Sequence, residues 1–217
     1  MDTGTPLPPG RKPILCYVTD RLALKAAPGT DALLAGIRNA VTAGVDWIQI
    51  REKDLEARPL AALVRLSLES TRGTRTKILV NDRLDVAIAA GAAGVHLGEV
   101  SLPVERVTEW RRSARLMDFQ IGASCHSTEG ALAAQRGGAD YIFFGPVFST
   151  PSKTAFGPPQ GIERLREVCA AVQTPVLAIG GVNLENASSC MKAGAAGIAA
   201  ISLFQKFPDV ATRLHEM

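Results

Sequence analysis

Short apolar runs alternate with amphipathic segments along nearly the whole chain. Each run is four to six residues long, and many are rich in Val and Ile, which is typical of strands buried on both faces of a sheet. The runs cover residues 14–18, 45–50, 77–80, 94–97, 119–123, 141–144, 176–179 and 197–201. This alternation predicts an α/β protein built from eight β/α units.

The segments between the runs have the spacing of helices that are apolar on one face. In the first two segments this face consists of Ala32, Leu33, Gly36, Ile37, Ala40 and Val41, and of Leu60, Leu63, Val64 and Ser67. Gly44 and Gly194 each follow a predicted helix, where a glycine commonly ends the helical turn. These segments therefore predict helices that cover the outside of the strands.

Two folds combine strands and helices in this order, a closed (β/α)₈ TIM barrel and an open Rossmann-type sheet. The open sheet requires a glycine-rich turn after its first strand, whereas here that strand ends in Tyr17-Val18-Thr19-Asp20. A length of 217 residues suits one barrel. We therefore predict a single TIM barrel over residues 14–217, preceded by a disordered lead at 1–13 that lacks the apolar segment of a signal peptide.

The charge balance and the cysteines argue against several classes of function. The chain has 24 Lys and Arg against 21 Asp and Glu, and its basic residues form no stripe, so no nucleic-acid partner is expected. No apolar run approaches the ~20 residues of a membrane-spanning helix, so no membrane partner is expected. The four cysteines form no CxxC pair, which argues against a zinc site and favours free thiols in a reducing compartment. We expect a cytoplasmic enzyme whose oligomeric state, including a homodimer, the sequence leaves open.

In a TIM barrel the chemistry lies at the rim formed by the C-terminal ends of the strands. The second run ends in Gln49, and strand alternation places Arg51 and Lys53 on the same side as Gln49. Arginine offers a planar fork for phosphate oxygens and lysine adds a point charge. These residues predict a site for a phosphorylated ligand, the alternative being a solvated cluster of charges.

Polar residues lie at or just after the ends of the third, fourth and fifth runs, and those after the third and fifth runs have two interpretations each. Asn81-Asp82 follows the third run, where Asp82 would either cap the helix that begins near Leu84 or join a magnesium shell. His96 in the fourth run is expected to be a structural hydrogen-bonding residue. His126, after the fifth run, would be an acid or base near neutral pH or a structural residue beside a helix cap.

The longest loop, residues 145–160, follows the sixth run. Loops of this length in compact domains are often functional, and this loop is predicted to be a lid. Thr150, Ser152 and Lys153 supply two hydroxyls and one cation, which suits a diphosphate. The alternative is a solvated surface loop.

The last two runs predict a phosphate site of a kind common in TIM barrels. Gly180 and Gly181 follow the seventh run, and Ile201-Ser202 ends the eighth. Glycine lets backbone N–H groups approach a phosphate closely, and a following helix adds its positive N-terminal end. The pattern indicates a phosphate group without indicating which molecule carries it.

Together the motifs resemble the thiamine phosphate synthase family and its close relative, the TenI-like thiazole tautomerase group. The resemblance runs from about Ile14 to Phe204 and is carried by QIREK at 49–53, ND at 81–82, GVHLG at 94–98, IGASCHS at 121–127, ADYIFFGPVFSTPSK at 139–153, AIGGV at 178–182 and AGAAGIAAIS at 193–202. No single motif is decisive, but their order and spacing are specific.

The synthase resemblance implies that a hydroxymethylpyrimidine diphosphate binds with Mg²⁺, loses diphosphate and is captured by the nitrogen of a thiazole phosphate. By their positions, the residues that match pyrimidine diphosphate contacts are Gln49, Arg51, Lys53 and Asn81, and Asp82 matches a magnesium ligand. The diphosphate side is matched by Ser124 and Lys153. The thiazole phosphate loop is matched by Thr150 and Ser152, and the thiazole phosphate contacts by Gly181, Ile201 and Ser202. Lys153, Ser124 and His126 are thus the predicted catalytic residues.

One position departs from the synthase pattern. The family usually has Gln-Glu-Asp after HLG, and that Asp is its second magnesium ligand, whereas this chain has Glu99-Val100-Ser101. Because a serine hydroxyl is a poorer magnesium ligand than a carboxylate, two alternatives stay open. One is a metal-free tautomerase that isomerises a thiazole carboxylate phosphate with His126 as its base, and the other is a non-catalytic regulatory protein that binds a phosphorylated ligand. The retained QIREK and ND motifs favour the synthase.

Overall fold

The computed structural model describes residues 12–24, 29–150, 158–207 and 209–215. Its eight strands are parallel and close into a barrel in chain order, because β8 pairs with β1. They are β1 (Ile14–Val18), β2 (Trp47–Ile50), β3 (Lys77–Asn81), β4 (Gly94–Leu97), β5 (Gln120–Cys125), β6 (Tyr141–Phe144), β7 (Val176–Ile179) and β8 (Gly197–Ala200). The prediction of a single TIM barrel is confirmed, and the open Rossmann-type sheet is excluded.

A helix follows each strand of the barrel. The helices are α1 (Thr30–Thr42), α2 (Ala57–Ser70), α3 (Leu84–Ala90), α4 (Val104–Ser113), α5 (Thr128–Gly137), α6 (Gly161–Ala171), α7 (Ala187–Lys192), α8 (Ser202–Lys206) and α9 (Val210–His215), with a short 3₁₀ helix at Arg21–Ala23. Within the described ranges, no helix has the length and apolar character to cross a membrane. Most of the predicted lead, up to residue 11, lies outside the described residues.

Strand alternation divides the core into two layers. A smaller cluster fills the barrel interior and contains Cys16, Val18, Leu79, Tyr141, Phe143, Leu177 and Ala199. The larger cluster, with Ile78 and Val80 among its members, lies between the strands and the helices. Because successive strand residues face opposite sides, interior positions near the strand ends lead directly to the rim.

Four of the predicted runs differ by one or two residues at an end from the observed strands, those of β2, β3, β5 and β8. The apolar run at 45–50 starts before β2, because the Val45 N–H donates to the Ala40 carbonyl at 3.1 Å and so completes the turn that ends α1. Strand β5 extends beyond residue 123, since Ser124 and Cys125 pair with Phe143 and Phe144 of β6. The predicted run ends at Ala123, before the polar Ser124, although Ser124 continues the strand to the rim.

Candidate functional site

Gln49 and Asn81 meet at the ends of β2 and β3. Gln49 Nε2 donates to Asn81 Oδ1 at 2.8 Å, and Gln49 is only 2% exposed. The buried Oε1 of Gln49 has no hydrogen-bond partner among the described residues. Leaving a buried acceptor unpaired costs about 1–3 kcal/mol, so a donor of a ligand that reached this oxygen would stabilise the site.

A cavity of about 260 Å³ opens beside this pair, between the ends of β2 and β3 and the start of α2. It is lined by Ile50, Glu52, Lys53, Leu55, Leu60, Asn81, Asp82 and Arg83. The structure thus brings Lys53, Asn81 and Asp82 together around one space. Arg51 is half-buried and does not line this cavity, in keeping with its position two residues beyond the interior-facing Gln49.

Asp82 and Ser101 are joined by a hydrogen bond. The Ser101 hydroxyl donates to Asp82 Oδ1, and the Gly98 N–H donates to Ser101 Oγ at 2.6 Å. Asp82 has a positive φ of 64°, and α3 starts two residues later after Arg83, which precedes the helix without a side-chain cap. The alternative prediction that Asp82 caps this helix is therefore wrong, because its carboxylate is turned toward the β4 side of the rim.

The donors around Asp82 limit what could hold a metal ion. Asp82 supplies one carboxylate and Ser101 one hydroxyl, and the described residues contain no group of three His, Cys, Asp or Glu side chains that could hold a metal. Glu99 acts electrostatically on Cys125 of β5, where burial and then the charge of Glu99 raise the pKa of the Cys125 thiol to about 12. The donor set fits Mg²⁺ only if a ligand and water provide most of the coordination shell.

A chain of hydrogen bonds connects the barrel interior to Ser124. His96 is 1% exposed, with Nδ1 at 3.1 Å from Tyr141 Oη and Nε2 at 2.9 Å from Ser124 Oγ. The ring of His96 also lies 4.2 Å from that of Phe143, measured between centroids. These contacts agree with the structural role predicted for His96, and they orient the Ser124 hydroxyl at the rim.

His126, which follows β5, is hydrogen-bonded to the backbone of the loop after β6. Its Nδ1 contacts the carbonyl oxygen of Gly145, which requires the proton to be on Nδ1 because a carbonyl only accepts. The neighbouring Ser127 caps α5 by accepting the Gly130 N–H at 3.0 Å. His126 thereby connects the end of β5 to the start of the β6 loop, residues 145–160.

The start of the β6 loop packs tightly on the turn after β7. The Phe148 N–H donates to the Gly180 carbonyl at 2.9 Å, and both Gly180 and Gly181 have positive φ angles, of 93° and 66°. A Cβ at Gly181 would lie 2.5 Å from the Ser149 carbonyl oxygen. The two glycines are thus required by the contact with the loop, whether or not their N–H groups also meet a phosphate.

The remaining predicted site residues belong to the turn after β8 and to the β6 loop. Ile201 precedes α8 and Ser202 begins it, and because Ile179 pairs with Ala199, these residues follow the strand adjacent to β7. Thr150 is the last described residue before the gap in the β6 loop, and Ser152 and Lys153 lie outside the described residues. The ends of the loop meet, because the Gln160 N–H donates to the Pro146 carbonyl at 2.7 Å.

Sequence reasoning missed one buried carboxylate at the rim. Glu52, between the two predicted phosphate-binding cations, accepts the Thr19 hydroxyl at 2.6 Å and the Arg21 N–H at 3.0 Å. It is 4% exposed, and its hydrogen bonds run to the segment that follows β1. Strand β2 ends at Ile50, and Glu52 lines the same cavity as Lys53, so strand alternation does not extend to these residues and gave no signal for Glu52.

Comparisons with known proteins agree with one another. A family model described as thiamine monophosphate synthase matches residues 15–204. A putative thiamine-phosphate synthase of Geobacter sulfurreducens is 46% identical over 195 residues, which cover 90% of this chain and 88% of that protein. The thiamine-phosphate synthase of Roseiflexus castenholzii is 41% identical over 204 residues, or 94% of this chain and 86% of that protein.

A solved structure gives the same result. The thiamine phosphate pyrophosphorylase of Pyrococcus furiosus superposes with a TM-score of 0.80 and 34% identity, covering 95% of this chain and 97% of that one. The similarity therefore includes the whole barrel as well as the sequence.

Proposed function

The chain belongs to the thiamine monophosphate synthase family, and we propose that it joins hydroxymethylpyrimidine diphosphate to thiazole phosphate on two halves of its barrel rim. It is an enzyme of thiamine biosynthesis, of the thiamine-phosphate synthase type. In the reaction, the bond between the pyrimidine methylene carbon and the diphosphate oxygen breaks, and its electron pair leaves with diphosphate. The lone pair of the thiazole nitrogen then forms the new C–N bond.

The observation that carries this proposal is the unpaired acceptor on Gln49. Its buried Oε1 has no partner among the described residues, while its Nε2 is held by Asn81. An aminopyrimidine offers an N–H donor next to a ring nitrogen, and that donor would satisfy this oxygen. We assign Gln49 and Asn81 to recognition of the pyrimidine.

Beyond this pair, we assign Arg51, Lys53 and Ser124 to the diphosphate. The departing group gains negative charge as the C–O bond breaks, so positioned cations and a hydroxyl stabilise the transition state more than the bound substrate. Lys53 and Asn81 both line the cavity, so Lys53 lies on the same part of the rim as the proposed pyrimidine contacts. Lys153, outside the described residues, is proposed as a further cation for the same group.

Magnesium is implied by the family and fits this chain with one carboxylate. Asp82 would hold the ion, and Ser101 would contribute at most a hydroxyl that already donates to Asp82. Such an ion would take its other ligands from diphosphate oxygens and water, and it would neutralise charge on the leaving group. Ser101 is therefore assigned to orienting Asp82 rather than to the metal.

The thiazole phosphate is assigned to the opposite half of the rim. Gly180 and Gly181 after β7, and Ile201 and Ser202 at the start of α8, follow adjacent strands, as the common TIM-barrel phosphate site requires. Thr150 and Ser152 of the β6 loop are proposed to cover this substrate. Its thiazole nitrogen would then face the pyrimidine methylene carbon across the mouth of the barrel.

His126 is assigned to support of the β6 loop, since its Nδ1 is bonded to the Gly145 carbonyl. The names of the relatives favour the synthase over the tautomerase and over a non-catalytic regulatory protein. A cytoplasmic location and a homodimer stay predictions from the sequence.

The direct test is to incubate the purified protein with both phosphorylated substrates and Mg²⁺, and to measure thiamine phosphate and diphosphate. We expect the two products in equal amounts. A parallel incubation with the thiazole carboxylate phosphate measures tautomer conversion. Conversion of this substrate without any thiamine phosphate would contradict the proposal and support the tautomerase.

A further inference from the structure

We propose that Glu52 is a positioning residue that fixes the segment carrying Arg51 and Lys53 in its diphosphate-binding arrangement, an inference that rests on the proposed function. Its partners are Thr19, Arg21 and, through Arg21, Asp54. Glu52 and these three partners are called the Glu52 cluster below. None of the four is among the assigned substrate contacts. Glu52 and Asp54 flank Lys53 in the sequence, and Thr19 is hydrogen-bonded to the backbone of Arg51.

Both oxygens of the Glu52 carboxylate are used. Oε1 accepts the Thr19 hydroxyl at 2.6 Å, and Oε2 accepts the Arg21 N–H at 3.0 Å and Arg21 Nη1 at 3.2 Å. The Glu52 side chain is only 1% exposed, so water cannot replace these donors. Because a buried carboxylate that loses its partners is strongly destabilised, these contacts resist breaking.

Thr19 transmits this arrangement to the backbone of Arg51. Its hydroxyl must donate to Glu52, because an ionised carboxylate only accepts, and its oxygen then accepts the Arg51 N–H at 2.9 Å. Thr19 is fully buried, and its own N–H donates to the Gln49 carbonyl at 2.9 Å. The end of β2 is thus fastened to β1 on both sides of Ile50, immediately before the cations project from the rim.

Arg21 fixes the other end of the same segment. Its guanidinium binds Asp54 through two hydrogen bonds of 2.6 Å while it also contacts Glu52. Lys53 lies between these two anchored residues. The segment from 51 to 54 is therefore held at the Arg51 N–H, at the Glu52 side chain and at the Asp54 side chain, which leaves the side chains of Arg51 and Lys53 free of these anchors.

Glu52→Gln is the sharpest test, because it keeps the shape and replaces one acceptor oxygen by an NH₂ group. Facing Arg21, that group would meet N–H donors; facing Thr19, it would turn the hydroxyl from donor into acceptor, and in both orientations the charge that binds Arg21 is lost, so the cluster is weakened. The readout is the dissociation constant of inorganic diphosphate with Mg²⁺, measured by calorimetry, together with kcat and both KM values. We expect binding about tenfold weaker, from the loss of hydrogen bonds to a charged group, and a raised KM for the pyrimidine diphosphate with an unchanged KM for thiazole phosphate.

The matched control is Asp140→Asn at the opposite end of the barrel. Asp140 also accepts an arginine and a backbone N–H, from Arg111 Nη1 at 2.6 Å and from Ile121 at 2.7 Å, but next to the starts of β5 and β6. It should lower the melting temperature without changing diphosphate affinity. An equal loss of affinity in this variant, or unchanged affinity in Glu52→Gln, would overturn the inference.

A second pair of variants covers the case in which Glu52→Gln does not fold. Thr19→Val removes the hydroxyl at constant size and should weaken diphosphate binding, whereas Thr19→Ser keeps the hydroxyl and should restore it. Equal affinities for the two variants would contradict the positioning role. A wild-type protein that binds diphosphate but makes no thiamine phosphate would contradict the proposed function alone, and one that binds no diphosphate would contradict the inference.

Discussion

Ser101 controls how the carboxylate of Asp82 is presented at the rim. The hydroxyl of Ser101 donates to Asp82 Oδ1 and is itself held by the Gly98 N–H. The hydrogen bond thus partly neutralises the charge on one oxygen of Asp82, and position 101 supplies a hydroxyl rather than a second carboxylate. Because Mg²⁺ prefers carboxylate oxygens, the free protein should bind this ion weakly and rely on the diphosphate to bring it.

Ser101→Asp should therefore tighten magnesium binding. A second carboxylate facing Asp82 repels it in the absence of metal and shares the ion in its presence, so we expect a lower melting temperature without Mg²⁺ and a larger increase when Mg²⁺ is added. Thermal unfolding across a magnesium titration measures both effects. Ser101→Ala is the control, since it removes the hydroxyl without adding charge, and an identical magnesium response in the two variants would refute the assignment.

Arg51→Ala should impair the reaction through the diphosphate half alone. Loss of one group that stabilises developing charge typically costs about 100-fold, so we expect kcat/KM for the pyrimidine diphosphate to fall by about that factor. The KM for thiazole phosphate should not change. Arg75→Ala, exposed in the turn between α2 and β3 at the opposite end of the barrel, removes the same charge away from the rim and should leave steady-state kinetics as in the wild type.

Individual residues of the site were predictable where strand alternation places them. Gln49 was placed by alternation along β2 and Asn81 by its position at the end of the third run, and the structure pairs them. The bond between Asp82 and Ser101 and the burial of Glu52 were not predictable, because each depends on a contact between residues 19 or more positions apart. Local patterns carry no information on such contacts.

At the scale of elements, the contact between the β6 loop and the β7 turn is the most restrictive at the rim. Gly181 has a φ of 66°, and a Cβ there would meet the Ser149 carbonyl oxygen. A side chain at this position would therefore suffer from both its backbone conformation and a steric clash. The clash would displace the loop that carries Thr150.

Gly181→Ala should lower the free energy of unfolding by about 2–4 kcal/mol, from left-handed strain together with overpacking. It should also raise the KM for thiazole phosphate. Gly73→Ala separates the two causes, because Gly73 has a φ of 75° and nothing within 4 Å of the added Cβ. Urea unfolding should give a loss of only about 1 kcal/mol for that control, and equal losses in the two variants would show that the loop contact contributes nothing.

The elements themselves were predicted well where burial is continuous and less well at their ends. The runs at 14–18, 94–97, 141–144 and 176–179 coincide with β1, β4, β6 and β7. Strand β2 starts later than its run, because Val45 belongs to the end of α1. The sequence does not distinguish an apolar residue in a buried turn from one in a strand, since both positions pack against the helix layer and select apolar side chains.

At the scale of the whole molecule, the four thiols make stability depend on alkaline pH. Burial raises the pKa of Cys16 well above its usual range, of Cys125 and Cys169 to about 12, and of Cys190 to about 11. In the unfolded chain these thiols ionise near their ordinary pKa of 9.0, so above that pH the unfolded state loses protons that the folded state retains. The contribution is complete below this pH and is lost as the pH rises.

The free energy of unfolding should therefore fall between about pH 9 and 11, by about 1 kcal/mol per pH unit for each thiol that titrates fully. Denaturant unfolding at a series of pH values checks this slope. Cys169→Ala should make the slope smaller. A slope that is the same in this variant would contradict the role of the thiol.

The overall architecture was predictable because eight buried runs in alternation have few solutions, and the first strand lacks the glycine turn of an open sheet. That the sheet closes into a barrel was predicted only from the number of strands. It is made by the pairing of Ile14 with Gly197 and of Tyr17 with Ala200, which no local pattern could indicate. The family resemblance, in turn, is confirmed by relatives that cover most of the chain.

The closing pair β1 and β8 also constrains how the protein is made. During synthesis the first strand emerges early, but its second neighbour is not available until residues 197–200 have left the ribosome. Until then the nascent sheet has two open edges, which are the surfaces most prone to wrong pairing and aggregation. Because β8 lies next to β1, a short linker could join them while new termini are placed in an exposed loop. The last pair of strands to form during synthesis would then be a different one.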